Sequence, residues 1–381
     1  MVMQTELPAD RSRAIASDGA RTFVTLDGLR GIAALAVAAR HAPFQWRFAF
    51  PGALYESYLA VDFFFVLSGF VLAYAYGDRL RDGMSTRQFM ATRLIRLYPL
   101  YLLALIFSLT LTAIQLLFGK GGDARIFLNA PFAFLFMPSP FNAAELFPIN
   151  FPAWSLFFEL VANFAFALLA ARLSTRSLVA IVSAAALTLL LAVSCGWLGF
   201  GTGHGAMDAG PVWRSFGAGF VRVGYSFFAG VLAFRIWQYR PLGARVPSLV
   251  TIVILCMILL AWPPFKLQAA FDLLATLLVF PALVLLGANC TPTARMVRWF
   301  TWLGSVSYGV YVLQVPLYPF IERRLAKVHV GVSWLQGAAC FALVVAVAAI
   351  ADEYFDRPVR RALTRRLGAR HSLTLPRQHD V

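Results

Sequence analysis

The sequence is poor in charged residues and in cysteine. Of its 381 residues only 13% are charged and 60% are hydrophobic, whereas a soluble globular domain is close to one quarter charged. The four cysteines form neither a Cys-x-x-Cys pair nor a cluster with histidine. This spacing argues against a zinc site and a disulfide framework, and we expect no bound metal or cofactor. The first 25 residues lack the apolar core of a cleaved signal peptide, so the first span should remain as an uncleaved insertion signal.

Long apolar runs make up most of the chain. They lack the two-residue alternation of barrel strands, and about 20 apolar residues in a helix cross the hydrocarbon core of a bilayer. The sequence therefore predicts an all-α, polytopic transmembrane helical bundle of about ten spans. We place these spans near 28–46, 56–76, 95–118, 152–172, 177–198, 218–238, 247–263, 269–289, 303–322 and 334–354.

The topology depends on a shorter apolar piece, 126–137. As a helix it is about 18 Å long, too short for a full crossing, so we interpret it as re-entrant or interfacial. Both termini then lie in the cytoplasm with most of the 33 lysines and arginines, as the positive-inside rule requires, and the basic group at 323–327 is the exception. If 126–137 spans instead, the turn with Arg172 and Arg176 falls outside.

The chain divides into one membrane domain and two tails. We predict a cytoplasmic N-terminal tail over 1–25, a transmembrane domain over 26–361 and a basic cytoplasmic tail over 362–381, with no appended soluble domain. The net charge of +15 belongs to loops and tails between apolar spans. We therefore expect the lipid bilayer of the cell inner membrane as a partner, and no nucleic acid.

Two ionisable residues of the first span share a helical face. Arg30 and His41 are eleven positions apart, which brings them within about 20° of one another around the helix and separates them by about 16 Å along it. Ionisable residues inside a membrane usually mark a function. The spacing leaves two interpretations open: a chemical pair, or an arginine that reaches the cytoplasmic headgroups and a histidine at the outer interface.

Two acids fall at about the depth of His41. Asp62 precedes three phenylalanines in the second span, where an uncompensated carboxylate would be costly, so it needs a buried partner. Glu159 is the most deeply placed acid and shares a helical face with Ser155. We expect both acids to converge on the histidine, although Asp62 also fits a structural ion pair.

Two arginines mark the cytoplasmic start of the third span. Arg93 and Arg96 are three residues apart, so a helix places them on one face. Positive-inside charge explains most loop arginines, but a pair of guanidinium groups on one face also suits bidentate contacts with phosphate.

Together these segments resemble the acyltransferase 3 family of integral membrane acyltransferases. The spacing from Arg30 to His41 is similar to the Arg-x10-His signature of that family, and the other motifs follow in the family's order. The matching stretches are 26–31 with His41, 61–70, 93–99, 154–159, 303–311 and 354–358.

The resemblance implies an O-acyltransferase that takes an acyl group, usually acetyl, from cytoplasmic acyl-CoA. His41 would be the general base and Glu159 or Asp62 would orient it, as an acid does in a catalytic triad; an acyl-histidine intermediate is the less favoured variant. Arg30, Arg93 and Arg96 would bind the donor phosphates. The substrate pocket would include Trp154, Ser155, Ser68, Tyr308 and Gln314.

The chain departs from the family where Gln314 stands at a position that is often histidine, and glutamine cannot titrate. The acceptor is left open: a glycan, a lipid-linked sugar or a small hydroxylated molecule, with a separate periplasmic protein as a further acceptor of the acyl group. The main rival is a membrane transporter or flippase that uses the same charges as a pathway. We find no inverted repeat that would support it.

Overall fold

The computed structural model of the chain describes residues 23–42, 54–239, 246–325 and 333–374. Nearly all of the predicted N-terminal tail, and the last seven residues, 375–381, lie outside the described residues. Within those ranges the backbone forms helices joined by loops, and its extended pairing is a single isolated bridge between Glu145 and Val212. The predicted all-helical class is confirmed.

Most of the helices follow one another with short connections, and longer loops precede Ala153–Leu169 and Phe216–Tyr239. In chain order they are α1 (Val24–His41), α2 (Ala60–Arg81), α3 (Thr86–Leu117), α4 (Ala130–Phe134), α5 (Ala153–Leu169), α6 (Thr175–Ser194), α7 (Phe216–Tyr239), α8 (Ser248–Leu259), α9 (Phe265–Leu274), α10 (Phe280–Asn289), α11 (Ala294–Leu325), α12 (Ser333–Ala351) and α13 (Arg357–Thr374).

Each predicted span coincides with a helix or with a pair of consecutive helices. Within the described residues, six segments are long and apolar enough to cross a membrane, and α5 and α8 are shorter apolar helices. A multi-pass membrane protein follows from these lengths, while the number of ten spans stays a prediction. The six segments are Tyr55–Arg81, Thr86–Leu117, Thr175–Ser194, Trp213–Tyr239, Phe265–Asn289 and Leu335–Leu367.

The short apolar piece 126–137 does not form a spanning helix. A 3-10 turn over Ala124–Asn129 leads into α4, which is only 5 residues long. The backbone then turns at Phe136, whose φ is 57°. A helix of five residues rises about 8 Å, far less than a bilayer core. This length agrees with the interpretation of the piece as re-entrant or interfacial, and its place in the membrane stays a prediction.

Glycines allow two pairs of helices to pack with their backbones in contact. A Cβ atom on Gly69 of α2 would lie 1.9 Å from the carbonyl oxygen of Phe227 in α7, and one on Gly230 would lie 2.0 Å from that of Val66. In the α1–α11 pair, a Cβ on Gly31 would lie 2.5 Å from that of Leu303. Small residues are the usual means of close helix packing in membranes.

A π-helical turn over Asp352–Asp356 joins α12 to α13. Such turns insert an extra residue into the helix and often occur at functional sites. This one directs Asp352 and Asp356 inward, where they are 2% and 0% exposed, and leaves Glu353 and Tyr354 at the surface. The turn therefore presents two buried carboxylates to the neighbouring arginines.

Candidate functional site

A cavity of about 210 Å³ lies between α1, α2, α3, α5 and α11. Its polar lining contains three arginines, one carboxylate and several hydroxyl groups, and the rest is aliphatic and aromatic. Convergent polar groups in an apolar cavity are the usual form of a small-molecule site. The residues that line it are Arg30, Ala34, Val61, Phe64, Phe65, Leu67, Ser68, Val71, Leu72, Arg93, Arg96, Leu97, Ser155, Leu156, Glu159, Ser307, Tyr308 and Tyr311.

Arg30 is held at the cavity by α11. Its guanidinium donates to the carbonyl oxygen of Gly304 at 2.9 Å and to the hydroxyl of Ser307 at 3.1 Å, and it lies 2.8 Å from the carboxylate of Asp27. The close packing of α1 on α11 brings that carbonyl within reach. Arg30 is therefore held in one orientation by α11 and by Asp27.

Glu159 is the carboxylate of the cavity, and it joins three helices. It accepts a hydrogen bond from Ser68 of α2 at 2.7 Å and another from Arg93 of α3 at 3.0 Å. We expected Glu159 to converge with Asp62 on His41, and its observed partners lie on α2 and α3. A carboxylate gains more from a permanent guanidinium cation than from a neutral imidazole, which explains the choice of partner.

Arg96 lies on the same side of the cavity. Its guanidinium carbon is 5.7 Å from the ring centroid of Tyr308, and its Nη1 atom is 3.7 Å from the buried carboxylate of Asp356. That separation is too long for a hydrogen bond. Tyr308 in turn donates its hydroxyl to the carbonyl oxygen of Leu97. The expectation that Arg30, Arg93 and Arg96 share one site agrees with their placement.

A pair of hydroxyl groups lies on another part of the wall. The oxygens of Ser155 and Tyr311 are 2.7 Å apart, and the ring of Phe64 meets that of Tyr311 edge to face at a centroid distance of 5.7 Å. Ser68, Ser155 and Tyr308, predicted as pocket residues, all line the cavity.

His41 is the last residue of α1 and is half-buried. Its Nδ1 atom lies 2.8 Å from the carbonyl oxygen of Val37, and its ring centroid is 6.4 Å from that of Phe151. His41 is not among the lining residues of the cavity. It shares the helical face of Arg30 and Ala34, which do line it, and is about 10 Å beyond Ala34 along the axis.

Asp62 forms a fully buried ion pair with Arg222 of α7. Its two carboxylate oxygens accept from Arg222 Nε at 3.2 Å and Nη2 at 2.5 Å. The guanidinium carbon also lies 5.4 Å from the ring centroid of Trp154. The expected buried partner of Asp62 is thus an arginine, and the structural ion pair left open by the sequence is observed. Neither Asp62 nor Trp154 lines the cavity.

Gln314 is buried, and its side-chain amide donates a hydrogen bond to the carbonyl oxygen of Tyr311 at 3.2 Å. It does not line the cavity.

Sequence reasoning missed two lining residues of α11, Ser307 and Tyr311. Their positions follow a helical spacing from Gly304 through Tyr308, which places all four on one face. That spacing was a usable signal for a polar stripe.

Two loop segments, around Tyr55 and around Asp208, contact the end of α1 that carries His41. Arg40 pairs with Asp208 at 3.2 Å and donates to the carbonyl oxygen of Tyr55 at 2.5 Å. Burial raises the pKa of Asp208, but the hydrogen bond with His204 and the charge of Arg40 lower it further, so the pKa lies below its usual value of 3.8. Asp208 therefore stays ionised and fixes the loop to α1.

Comparison with known proteins places the chain in a family. A family model described as an acyltransferase domain matches residues 23–353. A protein of Rhizobium radiobacter named "Protein 2 in picA locus" is 40% identical over 186 residues, which are 45% of this chain and 95% of that protein. The "Peptidoglycan O-acetyltransferase OatA" of Listeria monocytogenes is 24% identical over 386 residues, with 88% of this chain and 56% of that protein covered.

The chain thus spans about half the length of the Listeria relative. No solved structure matches. The matched residues 23–353 contain the whole arginine-lined cavity between α1, α2, α3, α5 and α11. From this match, the chain belongs to the membrane acyltransferase family that the motifs from Arg30 to His41 and beyond indicated.

Proposed function

We propose that the protein transfers an acyl group, acetyl in the simplest case, from acyl-CoA to a hydroxyl group of a glycan or another acceptor at the external side of the membrane. The observation that carries this proposal is the charge of the cavity. Three arginines, Arg30, Arg93 and Arg96, line it, against the single carboxylate of Glu159. Asp27 and Asp356 contact Arg30 and Arg96 from outside the lining and help to orient them. Guanidinium groups oriented in this way favour a ligand with several negative charges, as the phosphates of coenzyme A provide.

The size of the cavity fits part of such a donor. A volume of about 210 Å³ is below the 300–1,000 Å³ of a site that encloses a drug-sized ligand. The cavity therefore suits the slender thioester arm of acyl-CoA, with the phosphates at the arginines and the nucleotide outside. The apolar lining, including Val61 and Phe64, matches an arm that is largely uncharged.

The proposed chemistry takes place beyond the arginines, on the His41 end of α1. There His41 removes the proton of the acceptor hydroxyl while the oxygen adds to the thioester carbonyl. The carbon–sulfur bond then breaks and the acyl group stays on the acceptor oxygen. The coenzyme A thiolate leaves and takes up the proton held by His41, which restores the imidazole. We assign to the Ser155 and Tyr311 hydroxyl pair, whose oxygens are 2.7 Å apart in the cavity wall, a hydrogen bond to the donor along this route.

The name of the Listeria relative supports acetyl as the group and a cell-wall glycan as one class of acceptor. This chain spans only part of that relative, so its own acceptor has to be identified directly. The proposal accordingly commits to a hydroxyl acceptor and leaves the identity of the glycan to experiment.

The decisive experiment supplies radiolabelled acetyl-CoA to the purified protein in nanodiscs and measures thiol release together with transfer of label to glycan acceptors. We expect His41→Ala to abolish release while the protein stays folded. Arg30→Gln should raise the donor KM at least tenfold, and Arg30→Lys should not restore it. Arg172→Gln removes one exposed arginine away from the cavity and serves as the charge control.

Two results would contradict the proposal. Wild-type thiol release by the His41→Ala variant would exclude the histidine as base. Uptake of a polar substrate into proteoliposomes without any thiol release would indicate the rival function, a transporter or flippase.

A further inference from the structure

The helix α13 carries a dense basic face at one end of the bundle. Its sequence, Arg357–Thr374, contains no acidic residue. Four arginines and a threonine of its first turns line a surface recess of about 520 Å³. The lining residues are Arg357, Arg360, Arg361, Thr364 and Arg365. They are spaced at three and four residues, so one side of the helix presents them all.

Two of these arginines are tied to the π-helical turn that precedes α13. Arg357 lies 2.9 Å from the carboxylate of Asp352, and Arg360 lies 2.7 Å from that of Asp356. These ion pairs fix the direction in which α13 leaves the bundle. The face is therefore a built part of the protein and keeps its orientation relative to α12.

The other two arginines have no acidic partner among the residues whose side chains the structure describes. Arg361 and Arg365 are exposed, and no ion pair joins either to a carboxylate among the residues whose side chains are described. Arg366, on another side of the helix, is likewise exposed. Arg361 and Arg365 thus leave two positive charges uncompensated beside two that are already paired.

The length of α12 places this face at the membrane surface. About 20 helical residues cross the hydrocarbon core, so a span that starts at Ser333 leaves the core near Asp352. The first turns of α13 then follow at the level of the headgroups and just beyond. Side chains on a helix tilt toward its N-terminus, so Arg361 and Arg365 point back toward the bilayer.

No residue of the basic face lines the cavity of Arg30, Arg93 and Arg96. The two sites are neighbours, because Asp356 lies between Arg360 of the basic face and Arg96 of the cavity. We propose that the basic face of α13 binds the phosphate groups of anionic phospholipids in the cytoplasmic leaflet. Guanidinium groups fit phosphate oxygens in a bidentate manner, and clusters of basic residues next to a span attract anionic lipids.

The test measures lipid retention by the full chain and needs no enzymatic activity, so it is independent of the proposed transfer reaction. The purified protein is exchanged into nanodiscs of phosphatidylcholine and phosphatidylglycerol, and native mass spectrometry counts the lipids it keeps. We expect the R361Q/R365Q variant to lose its preference for phosphatidylglycerol by about thirtyfold, from the typical attraction of two basic side chains to an anionic leaflet. R361K/R365K should retain most of it.

A matched control removes the same charge elsewhere. Arg172, in the turn between α5 and α6, and Arg176, in the first turn of α6, are exposed. The predicted positive-inside topology puts both on the same side of the membrane as the basic face. R172Q/R176Q should keep the wild-type preference. If both glutamine variants lose the preference for phosphatidylglycerol equally, the preference reflects the overall positive charge of the protein, and the proposal is overturned. Full retention of the preference by R361Q/R365Q would also overturn it. Displacement of the retained lipid by coenzyme A would assign the face to the donor instead.

Discussion

Glu159 and Arg93 are paired at 3.0 Å across the cavity, with only 16% and 15% of their side chains exposed. The pair connects α5 to α3, and Ser68 adds α2 through the same carboxylate oxygen. Since a half-satisfied network of buried charges is costly, loss of either partner affects both the fold and the cavity.

The first prediction concerns the coupling of this pair. Glu159→Gln and Arg93→Gln should each lower the transfer rate at least tenfold, because the remaining partner is left without its counter-charge. In a double-mutant cycle the two changes should combine to less than the sum of their effects on unfolding free energy, by about 0.5–3 kcal/mol. Thermal unfolding in detergent, run beside the acetyl-CoA assay, measures both. Strict additivity would show that the two side chains act independently.

The second prediction assigns a positioning role to Asp356. It lies 3.7 Å from Arg96 and 2.7 Å from Arg360, so the charge of its carboxylate attracts the Arg96 guanidinium toward the π-helical turn. Asp356→Asn should raise the donor KM about tenfold and leave kcat within twofold, and Asp356→Glu should recover most of the loss. The readout is initial-rate kinetics over a range of acetyl-CoA concentrations. A fall in kcat at constant KM would contradict a role in donor binding.

The third prediction concerns the buried ion pair of Asp62 and Arg222. Their side chains are 0% and 1% exposed, and removal of one partner leaves an uncompensated charge at a cost of about 3–5 kcal/mol. Asp62→Asn should therefore lower the unfolding temperature strongly, and the D62N/R222M double variant should recover part of the loss. Thermal denaturation in detergent provides the comparison. A single variant as stable as the wild type would mean that the pair adds nothing to the fold.

The fourth prediction is a pH dependence at Asp208. Because its folded pKa is depressed, the carboxylate stabilises the fold above the unfolded pKa of about 3.9. This contribution disappears as the pH falls through the lower folded value. Between pH 6 and pH 3 the wild type should lose more stability than Asp208→Asn. Asp123→Asn, a change at an exposed loop carboxylate, serves as the control, and parallel curves for the wild type and Asp208→Asn would refute the effect.

The helical architecture could be predicted because apolar runs of span length leave few alternatives in a bilayer. The grouping of Arg30 with Arg93 and Arg96 could also be predicted from the sequence, since positive-inside topology puts all three at one end of the bundle. The partners of Glu159 and Asp62 could not be predicted from the sequence. They depend on which helices are neighbours of α2 and α5, and depth along a single helix carries no such information.

The cavity-lining residues of α11 could be predicted only in part from the sequence. Its polar stripe through Ser307 and Tyr311 has a helical spacing that can be found in the sequence. Nothing in that spacing indicates that the stripe faces Arg30, because this contact requires the close approach of α1 at Gly31 and Gly304.

The glycine contacts also limit how the cavity wall can rearrange. Gly69 and Gly230 hold the backbones of α2 and α7 in contact, and Gly31 does the same for α1 and α11. A methyl group on Gly69 would lie 1.9 Å from a backbone carbonyl oxygen, so rotation of a side chain cannot make room for it. Any rearrangement that keeps these contacts therefore moves α2 together with α7, and α1 together with α11.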